Sequence, residues 1–513
     1  MSLKTDIEST TEKTSSPLSP PQLQDQKGYI LDARLVPDHG LKTDKTGRTI
    51  LIPQPSDDPN DPLNWGPAKK NLVLGVVAAS AFLPEFGSAL GIITSIPQAR
   101  EWHIPQNTVL HSLVGNLAML AFGSVFTVVG MNYFGRLPVL FWFTVFALWT
   151  AAFSAGASTF NEFMAARILN GFFSVVTYPA TLIYVNDLFF LHEHARKVNA
   201  WAFSVLLAPY LGPLITSFML TKVSWRWVFG LYTILTGLSL IAVVLFSEET
   251  YYDKSIPPDE QPKPVSRLSR LVGVEQLKSR RLHNSFGDAL MRPIKTLLKP
   301  TVFISGVFYL LTYMWAIGIN STLSIFLQPL YHFGPRQIGF FYFAPIVAAI
   351  LGFLVGHWLH DAVTHLYTRR HAGHLEPEAR LLVLWLSTPL MIAGIVLVGF
   401  SLQRGWHYML AAFAWGLYVF GLVITTVGIN AYNLTSYPEA SGEVTALIAF
   451  FRSVGGFVDT YVQVDWTRKI GPEKTLGTQA GIVGAAFLLI VAMQIYGKKL
   501  RTWSGPLNFS TTE

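Results

Sequence analysis

Long apolar runs separated by short polar turns dominate this chain. Each run is close to the ~20 residues that an α-helix needs to cross a bilayer core. About 12 such runs lie near 71–94, 108–129, 138–157, 160–185, 199–221, 227–247, 301–328, 338–359, 381–400, 407–433, 443–464 and 476–496. A polar insert, 248–300, divides six runs from six. The pattern predicts an all-α membrane protein with 12 transmembrane helices. An N-terminal six-helix half (71–247) and a C-terminal half (301–496) flank the basic loop at 248–300. A tail precedes them (1–70) and another follows (497–513). The insert carries Arg267, Arg270, Lys278, Arg280, Arg281, Arg292, Lys295 and Lys299, and Lys69 and Lys70 stand just before the first run. Basic residues stay on the cytoplasmic side, so both tails and the insert are expected inside. Arg369, Arg370, Lys498, Lys499 and Arg501 agree. Arg468, Lys469 and Lys474 disagree, because they fall in a loop expected outside.

The polar stretches differ in kind. Met1 to Lys27 is rich in Ser, Thr, Pro and Gln, which predicts disorder. Residues 28–70 are mixed and end in a dense Pro/Asp/Asn segment, Leu51 to Trp65. No cleavable leader precedes the first run, so that run is expected to direct insertion. Within the insert, Leu268, Leu271 and Val272 share one helical face, and Phe286, Leu290, Met291, Ile294 and Leu297 share another. Such faces lie on a membrane surface or pack on the bundle.

Composition sharpens the class. Only 13% of the 513 residues are charged and 51% are hydrophobic, whereas soluble domains carry about 25% charged residues. The net charge of +7 sits in tails and loops, so it reports topology and not a nucleic-acid surface. The chain has no cysteine, which removes disulfides, thiolate metal sites and cysteine nucleophiles. There is no glycine–lysine phosphate loop. His357 with His360, and His371 with His374, lack the further ligands a metal needs. Neither enzyme chemistry, nor a metal, nor a cofactor is expected. Sequons at Asn320, Asn433 and Asn508 fall in spans, at their ends or in the inner tail, and are discounted.

Polar residues inside the runs are the candidate chemistry. Glu85 lies between Pro84 and Phe86, and a carboxylate at mid-membrane depth costs on the order of 2.5–3.5 kcal/mol. It stands about 14 residues from the inner end of span one, roughly 20 Å, and Arg167 about seven residues from the outer end of span four, roughly 10 Å. In a core ~30 Å thick the two share a depth. They are therefore expected to couple directly or through water, the alternative being that Arg167 ties helices through backbone carbonyls. Arg452 and Asp459 are seven apart on one face, either as a charge network or as a substrate site. Asp465, near the outer end, is expected to be solvated. Asn116, Asn320, Asn430 and Tyr432 line a cavity or act as interhelical ties. Tyr178, Phe308, Tyr309, Tyr313 and Trp315 form a cavity wall for flat or cationic substrates or a packing surface.

Four local motifs and the leader point to a family. Gly130-Met-Asn-Tyr-Phe-Gly-Arg-Leu-Pro138 lies between spans two and three, and Gly356 and Asp361 stand at the counterpart after span eight. Arg167-Ile-Leu-Asn-Gly171 opens span four, followed by Asp187 and Arg196. Ala208-Pro-Tyr-Leu-Gly-Pro-Leu-Ile-Thr-Ser217 runs through span five, and Ser224-Trp-Arg-Trp227 enters span six. These resemble the motifs of the major facilitator superfamily. The leader ending Asp61-Pro-Leu-Asn-Trp65 resembles that of its fungal drug:proton antiporter-type members. The resemblance implies two pseudo-symmetric six-helix halves with a substrate cavity between them. It implies inner gating by Gly135, Arg136, Asp187, Gly356 and Asp361, an outer seal shaped by Gly212 and Pro213, and a part for Arg167 in proton coupling, in which Glu85 is expected to join from its depth alone. Asn132 and Tyr133 depart from the usual acid and arginine, which weakens the inner charge latch. The expected function is proton-coupled efflux of a small organic compound by alternating access. An uptake carrier for a polyamine or other small nutrient, and a non-transporting membrane sensor, are the alternatives. The expected partners are the substrate, protons and the lipid bilayer, with no nucleic acid. The protein is expected to be a monomer in the plasma membrane.

Overall fold

Prolines and glycines set where the helices begin and end. Proline opens those starting at Pro67, Pro300, Pro335 and Pro472, where a missing N–H costs no hydrogen bond. Gly135, Gly405 and Gly471 turn the chain between consecutive helices at φ values of +95°, +60° and +86°. The computed structural model describes residues 24–25, 28–30, 41–44, 46–47, 49–252, 266–278, 285–371, 374–505 and 507. Its helices are α1 (Pro67–Ser80), α2 (Phe82–Trp102), α3 (Gln106–Phe134), α4 (Arg136–Gly156), α5 (Phe160–Ser174), α6 (Thr177–Leu188), α7 (His194–Met219) and α8 (Trp225–Phe246). Three short ones follow, α9 (Arg267–Val272), α10 (Val274–Lys278) and α11 (Phe286–Leu297). The rest are α12 (Pro300–Tyr331), α13 (Pro335–Phe341), α14 (Phe343–Arg370), α15 (Leu384–Arg404), α16 (Tyr408–Ser436), α17 (Ser441–Ile470) and α18 (Pro472–Ser504).

Among the described residues, 11 helical stretches are long and apolar enough to cross a membrane. α1–α2, α5–α6 and α13–α14 each count as one stretch. Helix α17 is as long, 30 residues, but carries Glu443, Arg452, Asp459, Asp465, Arg468 and Lys469. It packs between α3 and α12, and Glu443, Arg452 and Asp459 turn inward. The exterior of the bundle exposes Phe122, Trp149, Leu238, Phe413 and Leu488. Such a surface suits lipid and would be an aggregation surface in water. Contacts between α1–α8 and α12–α18 run mainly along α3 with α17 and α7 with α13 and α14.

Several expectations change. Arg468, Lys469 and Lys474 do not sit in a loop. The first two lie in the last turn of α17 and the third in the first turn of α18, with Gly471 alone between. A glycine at positive φ reverses the chain in one residue, so no loop is needed. Asp465 is exposed. The expected tail, 1–70, is in part a packed leader. The Asp61 carboxylate accepts from the Ser56 amide and hydroxyl (3.0 and 2.8 Å) and from the Leu63 amide (2.9 Å), which starts a 3₁₀ turn at Pro62–Asn64. Lys70 Nζ donates to the Leu63 carbonyl at 3.0 Å, and the Leu191 amide to that of Ile52 at 2.8 Å. Ile50, Ile52 and Leu63 are buried. Of Met1–Lys27, only Gln24–Asp25 (β1) is described. It pairs with β2 (Gly28–Ile30), and β2 pairs antiparallel with β3 (His374–Leu375). The expectations for the rest of that stretch, for Arg280 and Arg281, and for Asn508 lie outside the described residues. Helix α11 turns Ala289, Pro293 and Thr296 toward α3 and α17, and leaves Phe286, Leu290, Met291 and Ile294 exposed.

Close helix contacts depend on missing side chains. A Cβ at Gly123 of α3 would lie 2.5 Å from the Phe172 carbonyl oxygen of α5, whereas one at Gly477 of α18 would meet nothing within 4 Å. Gly123→Ala should therefore destabilise the purified protein by about 1–3 kcal/mol. Gly477→Ala should be neutral or slightly stabilising, because alanine is the better helix former. Thermal unfolding of both variants in one detergent checks this, and equal midpoints would contradict the close α3–α5 contact.

Candidate functional site

A break at Ala81 separates α1 from α2 and puts Glu85 in the first turn of α2. A second break, at Val175 and Val176, puts Tyr178 in the first turn of α6. Both residues face α17. Arg452 Nη2 donates to Glu85 Oε1 at 2.6 Å, and each side chain is 5% exposed. The guanidinium lies over the rings of Tyr178 (4.5 Å) and Tyr313 of α12 (4.9 Å). Its Nη1 also donates to the Tyr313 hydroxyl at 3.4 Å. Desolvating two ions costs several kcal/mol each, and close pairing with extra donors is what offsets it. The aromatic faces add cation–π attraction, which strengthens where water is excluded.

A shell of buried aromatics surrounds the pair. The hydroxyls of Tyr309 and Thr426 share a 2.9 Å hydrogen bond, and the Tyr418 hydroxyl donates to the Thr312 carbonyl at 2.7 Å. Trp415 stands edge-on to Tyr210, with centroids 5.6 Å apart. Among the described residues, the Tyr178 hydroxyl and the Trp415 Nε1–H have no hydrogen-bond partner. These spare polar atoms sit where α2, α6 and α7 meet α12, α16 and α17. A group entering there would find an ion pair to split, flat faces to stack on and unsatisfied donors to engage.

Gly212 and Pro213 of α7 border the same place. A Cβ at Gly212 would stand 3.1 Å from the Phe86 carbonyl oxygen, one residue from Glu85, and Pro213 is buried. The glycine lets α7 press directly on the first turn of α2.

Other expected site residues lie elsewhere. Arg167 does not bond Glu85. Its Nη1 and Nη2 donate to the carbonyls of Gly87 (2.6 Å) and Ser88 (2.8 Å), and its guanidinium lies 5.4 Å over Phe229. These are the backbone carbonyls of the alternative, in which Arg167 ties helices together. Two residues along a helix turn the side chain by about 200°, so Glu85 points away from the face that carries Gly87 and Gly91. Gly91 leaves room for the arginine, since its Cβ would lie 3.3 Å from Nη2. Arg452 pairs across helices with Glu85, and not with Asp459, which stands two turns further along α17. Asn116 ties α3 to α5 by donating to the Arg167 carbonyl at 2.7 Å. Asn430 donates to Thr426 of its own helix. The Tyr432 hydroxyl is buried without a partner among the described residues. Asn320 links α12 to α7 by donating to the Pro209 carbonyl at 3.0 Å.

The motif residues gather at the leader end of the bundle. Gly135 needs its positive φ, and a Cβ there would also strike the Glu249 carboxylate, which accepts from the Arg136 and Leu137 amides at 3.1 and 3.2 Å. Arg136 Nε stands 3.4 Å from Asp187, and Arg196 pairs with Asp361 between α7 and α14. A Cβ at Gly356 would lie 3.1 Å from Asn199 Oδ1. Asn132, in the place of an acid, donates to Glu443 of α17 at 2.7 Å, and Arg292 of α11 pairs with the same oxygen at 2.7 Å. Sequence reasoning missed Glu443. The signal was an acid opening a span that also holds Arg452 and Asp459.

Comparison with known proteins extends over most of the chain. The profile of the Major Facilitator Superfamily matches residues 74–458. The MFS-type transporter hepF of Aspergillus oryzae is 27% identical over 470 residues, which cover 87% of this chain and 93% of that protein. The efflux pump radE of Floropilus chiversii is 24% identical, over 87% of this chain and 84% of its own. The crystal structure of the human organic anion transporter MFSD10 (TETRAN) shares the fold with a TM-score of 0.56 at 16% identity, over 83% of this chain and all of that one.

Removing one partner of a buried pair leaves the other bare, at a cost of about 3–5 kcal/mol. Arg452→Leu should therefore lower stability by that order, and adding Glu85→Gln should restore most of it. Thermal unfolding of the two variants decides the matter. A double variant no more stable than Arg452→Leu would mean that the two charges are not coupled.

Proposed function

The chain belongs to the Major Facilitator Superfamily, and from that premise we propose that it is a proton-coupled exporter of a small organic compound of the fungal drug:proton antiporter type. Membership makes it a multi-pass membrane carrier for a small organic solute and not an enzyme. The finer reading rests above all on the buried Glu85–Arg452 pair, because one carboxylate has three claimants there: a proton, Arg452 and a substrate.

The proposed cycle follows from their competition. A proton on Glu85 removes the anion that Arg452 needs. Arg452 keeps its charge, since a guanidinium does not deprotonate, and retreats onto the faces of Tyr178 and Tyr313. Nothing ionic then holds α2 to α17, and the cavity opens to a neutral or cationic substrate. Loss of the proton lets Glu85 take either the substrate cation or Arg452 again. Proton and substrate thereby exclude each other, which is the requirement for exchange.

The wider architecture fits that cycle. In this reading α1–α8 form one half, α12–α18 form the other, and α17 supplies a twelfth crossing. The boundaries at 71–247 and 301–496 are retained, with the insert between them. Glu85, Arg452, Tyr178 and Tyr313 are the working residues, and Arg167 positions α2 through its carbonyls. The contacts Arg196–Asp361 and Asn132–Glu443–Arg292 close the leader end, which the basic residues assign to the cytoplasm. Gly212, pressed against Phe86, lets α7 and α2 move as a unit, and with Pro213 it shapes the outer seal. That motif, and a relative named as an efflux pump, favour export. The carrier acts as a monomer in the plasma membrane.

The test uses the full chain in lipid vesicles with an imposed pH gradient, and a panel of tetraphenylphosphonium and neutral lipophilic compounds. The wild type should move at least one probe against the proton flow. Glu85→Gln keeps a hydrogen-bond acceptor for Arg452 but cannot titrate, so it should lose gradient-driven transport and retain probe exchange at equal pH. Equal gradient-driven transport in both proteins would remove Glu85 from the coupling.

A further inference from the structure

One buried acid takes no part in the cycle above. Asp459 of α17 is 0% exposed, and neither carboxyl oxygen has a hydrogen-bond partner among the described residues. It projects into a notch on α12 made by the absence of a side chain. A Cβ at Gly318 would overlap Asp459 Oδ2, with Cγ only 2.7 Å away. No other residue type fits opposite this carboxyl without displacing it.

The surroundings supply no counter-charge. On the helices packed against α17, the titratable groups nearest its level are Tyr309 and Tyr313 of α12, Tyr418 of α16 and Tyr178 of α6. Arg452 of α17 itself is engaged with Glu85. Arg292 of α11, Glu439, Glu443 and Asp187 lie toward the leader end, and Tyr461, Asp465, His111 of α3, and Glu473 and Lys474 of α18 toward the opposite end. None of these hydrogen-bonds or ion-pairs with Asp459. An isolated carboxylate in a dry interior costs so much that the group takes a proton instead. It becomes an anion again only when water reaches it.

A small polar space lies one turn further on. A niche of about 40 Å³ opens between α3, α12 and α17, lined by His111, Ser321, Thr322, Thr460 and Asp465 among others. That is room for a water molecule, with polar partners to hold it. Thr460 adjoins Asp459 in sequence, Thr322 stands one turn from Gly318, and Asp465 is exposed.

We propose that Asp459 is a second proton-binding site of the carrier, filled and emptied through this niche. It rests on the proton-coupled reading above and adds a second proton to it. The step is simple in its balance. A hydronium ion in the niche gives a proton to one oxygen of Asp459: one of its O–H bonds breaks as the carboxyl O–H forms, a water molecule is left, and the reverse transfer to water follows when the α12–α17 seam parts. Unlike Glu85, Asp459 competes with no arginine, so its occupancy follows hydration of the seam and not the presence of substrate.

Two measurements test this on the full chain in lipid vesicles. In the infrared, wild type at neutral pH should show the carbonyl stretch of a protonated carboxyl. The band should vanish in Asp459→Asn, shift in Asp459→Glu and persist in Glu85→Gln. The shift in Asp459→Glu decides alone should the asparagine variant fail to fold. In transport, steady-state accumulation of the best-driven probe of the panel is followed against the imposed pH gradient. Each coupled proton contributes about ten-fold per pH unit, so Asp459→Asn should lose about ten-fold per unit and keep probe exchange at equal pH. A band that survives Asp459→Asn, or a gradient dependence unchanged by it, would overturn the proposal. If the wild type shows no gradient-driven transport while Asp459 alone carries the band, the failure lies with proton coupling and not with the acid's protonation.

Discussion

A guanidinium cannot give up its charge, so wherever Arg452 goes inside the bundle an anion or an aromatic face must accompany it. That constraint shapes the centre of this protein. Glu85 meets it with a 2.6 Å contact, and Tyr178 and Tyr313 meet it from two sides. The pair joins the first membrane stretch to the most charged helix, α17. Its geometry requires the break at Ala81, which sets the register of α2, and the glycine at 212, which lets α7 lie against that turn. Tyrosines cluster here because each gives a flat face to a cation while keeping a hydroxyl for a neighbouring backbone or threonine oxygen.

The second buried arginine shows how differently the same side chain can be used. Arg167 has no carboxylate. It donates to two carbonyls of α2, and Gly91 clears the space. Carbonyl oxygens carry a second lone pair, so they can take these bonds without giving up the helix. The result fastens α5 to α2, independent of any proton. Arg452 rests on a group that titrates, and Arg167 on groups that do not. In the proposed cycle the first therefore switches and the second holds α2 in place.

Much of the fold was legible because lipid and backbone impose so few solutions on an apolar run of ~20 residues. The family was legible in the motifs around Arg136, Asp187, Gly212 and Asp361. The site was legible only in part. Hydropathy and the 1.5 Å rise give a height along each helix, but they do not say which way a side chain points across a bundle. Glu443 was missed because an acid at a span end reads as solvated, whereas here α11 folds back to cover it with Arg292. The leader from Leu41 to Trp65 read as a tail because its order comes from side chains satisfying backbone groups, as Asp61 does. That order leaves no periodic trace.

The proposed proton coupling gives the two buried acids of α2 and α17 different parts. Glu85 is paired with a fixed cation, so in the proposed cycle a proton on it severs a contact between helices. Asp459, lodged in a glycine notch without a partner, is the acid that the proposal holds neutral until water arrives. The first reports on who occupies the site, and the second on whether the seam is open. Because Arg452 and Asp459 share α17 at a separation of seven residues, about 10 Å along the helix, a rigid movement of that helix alters both environments at once. Splitting the ion pair and wetting the notch then become two consequences of one displacement. A carrier built this way can tie proton movement to its conformational change without either acid touching the other.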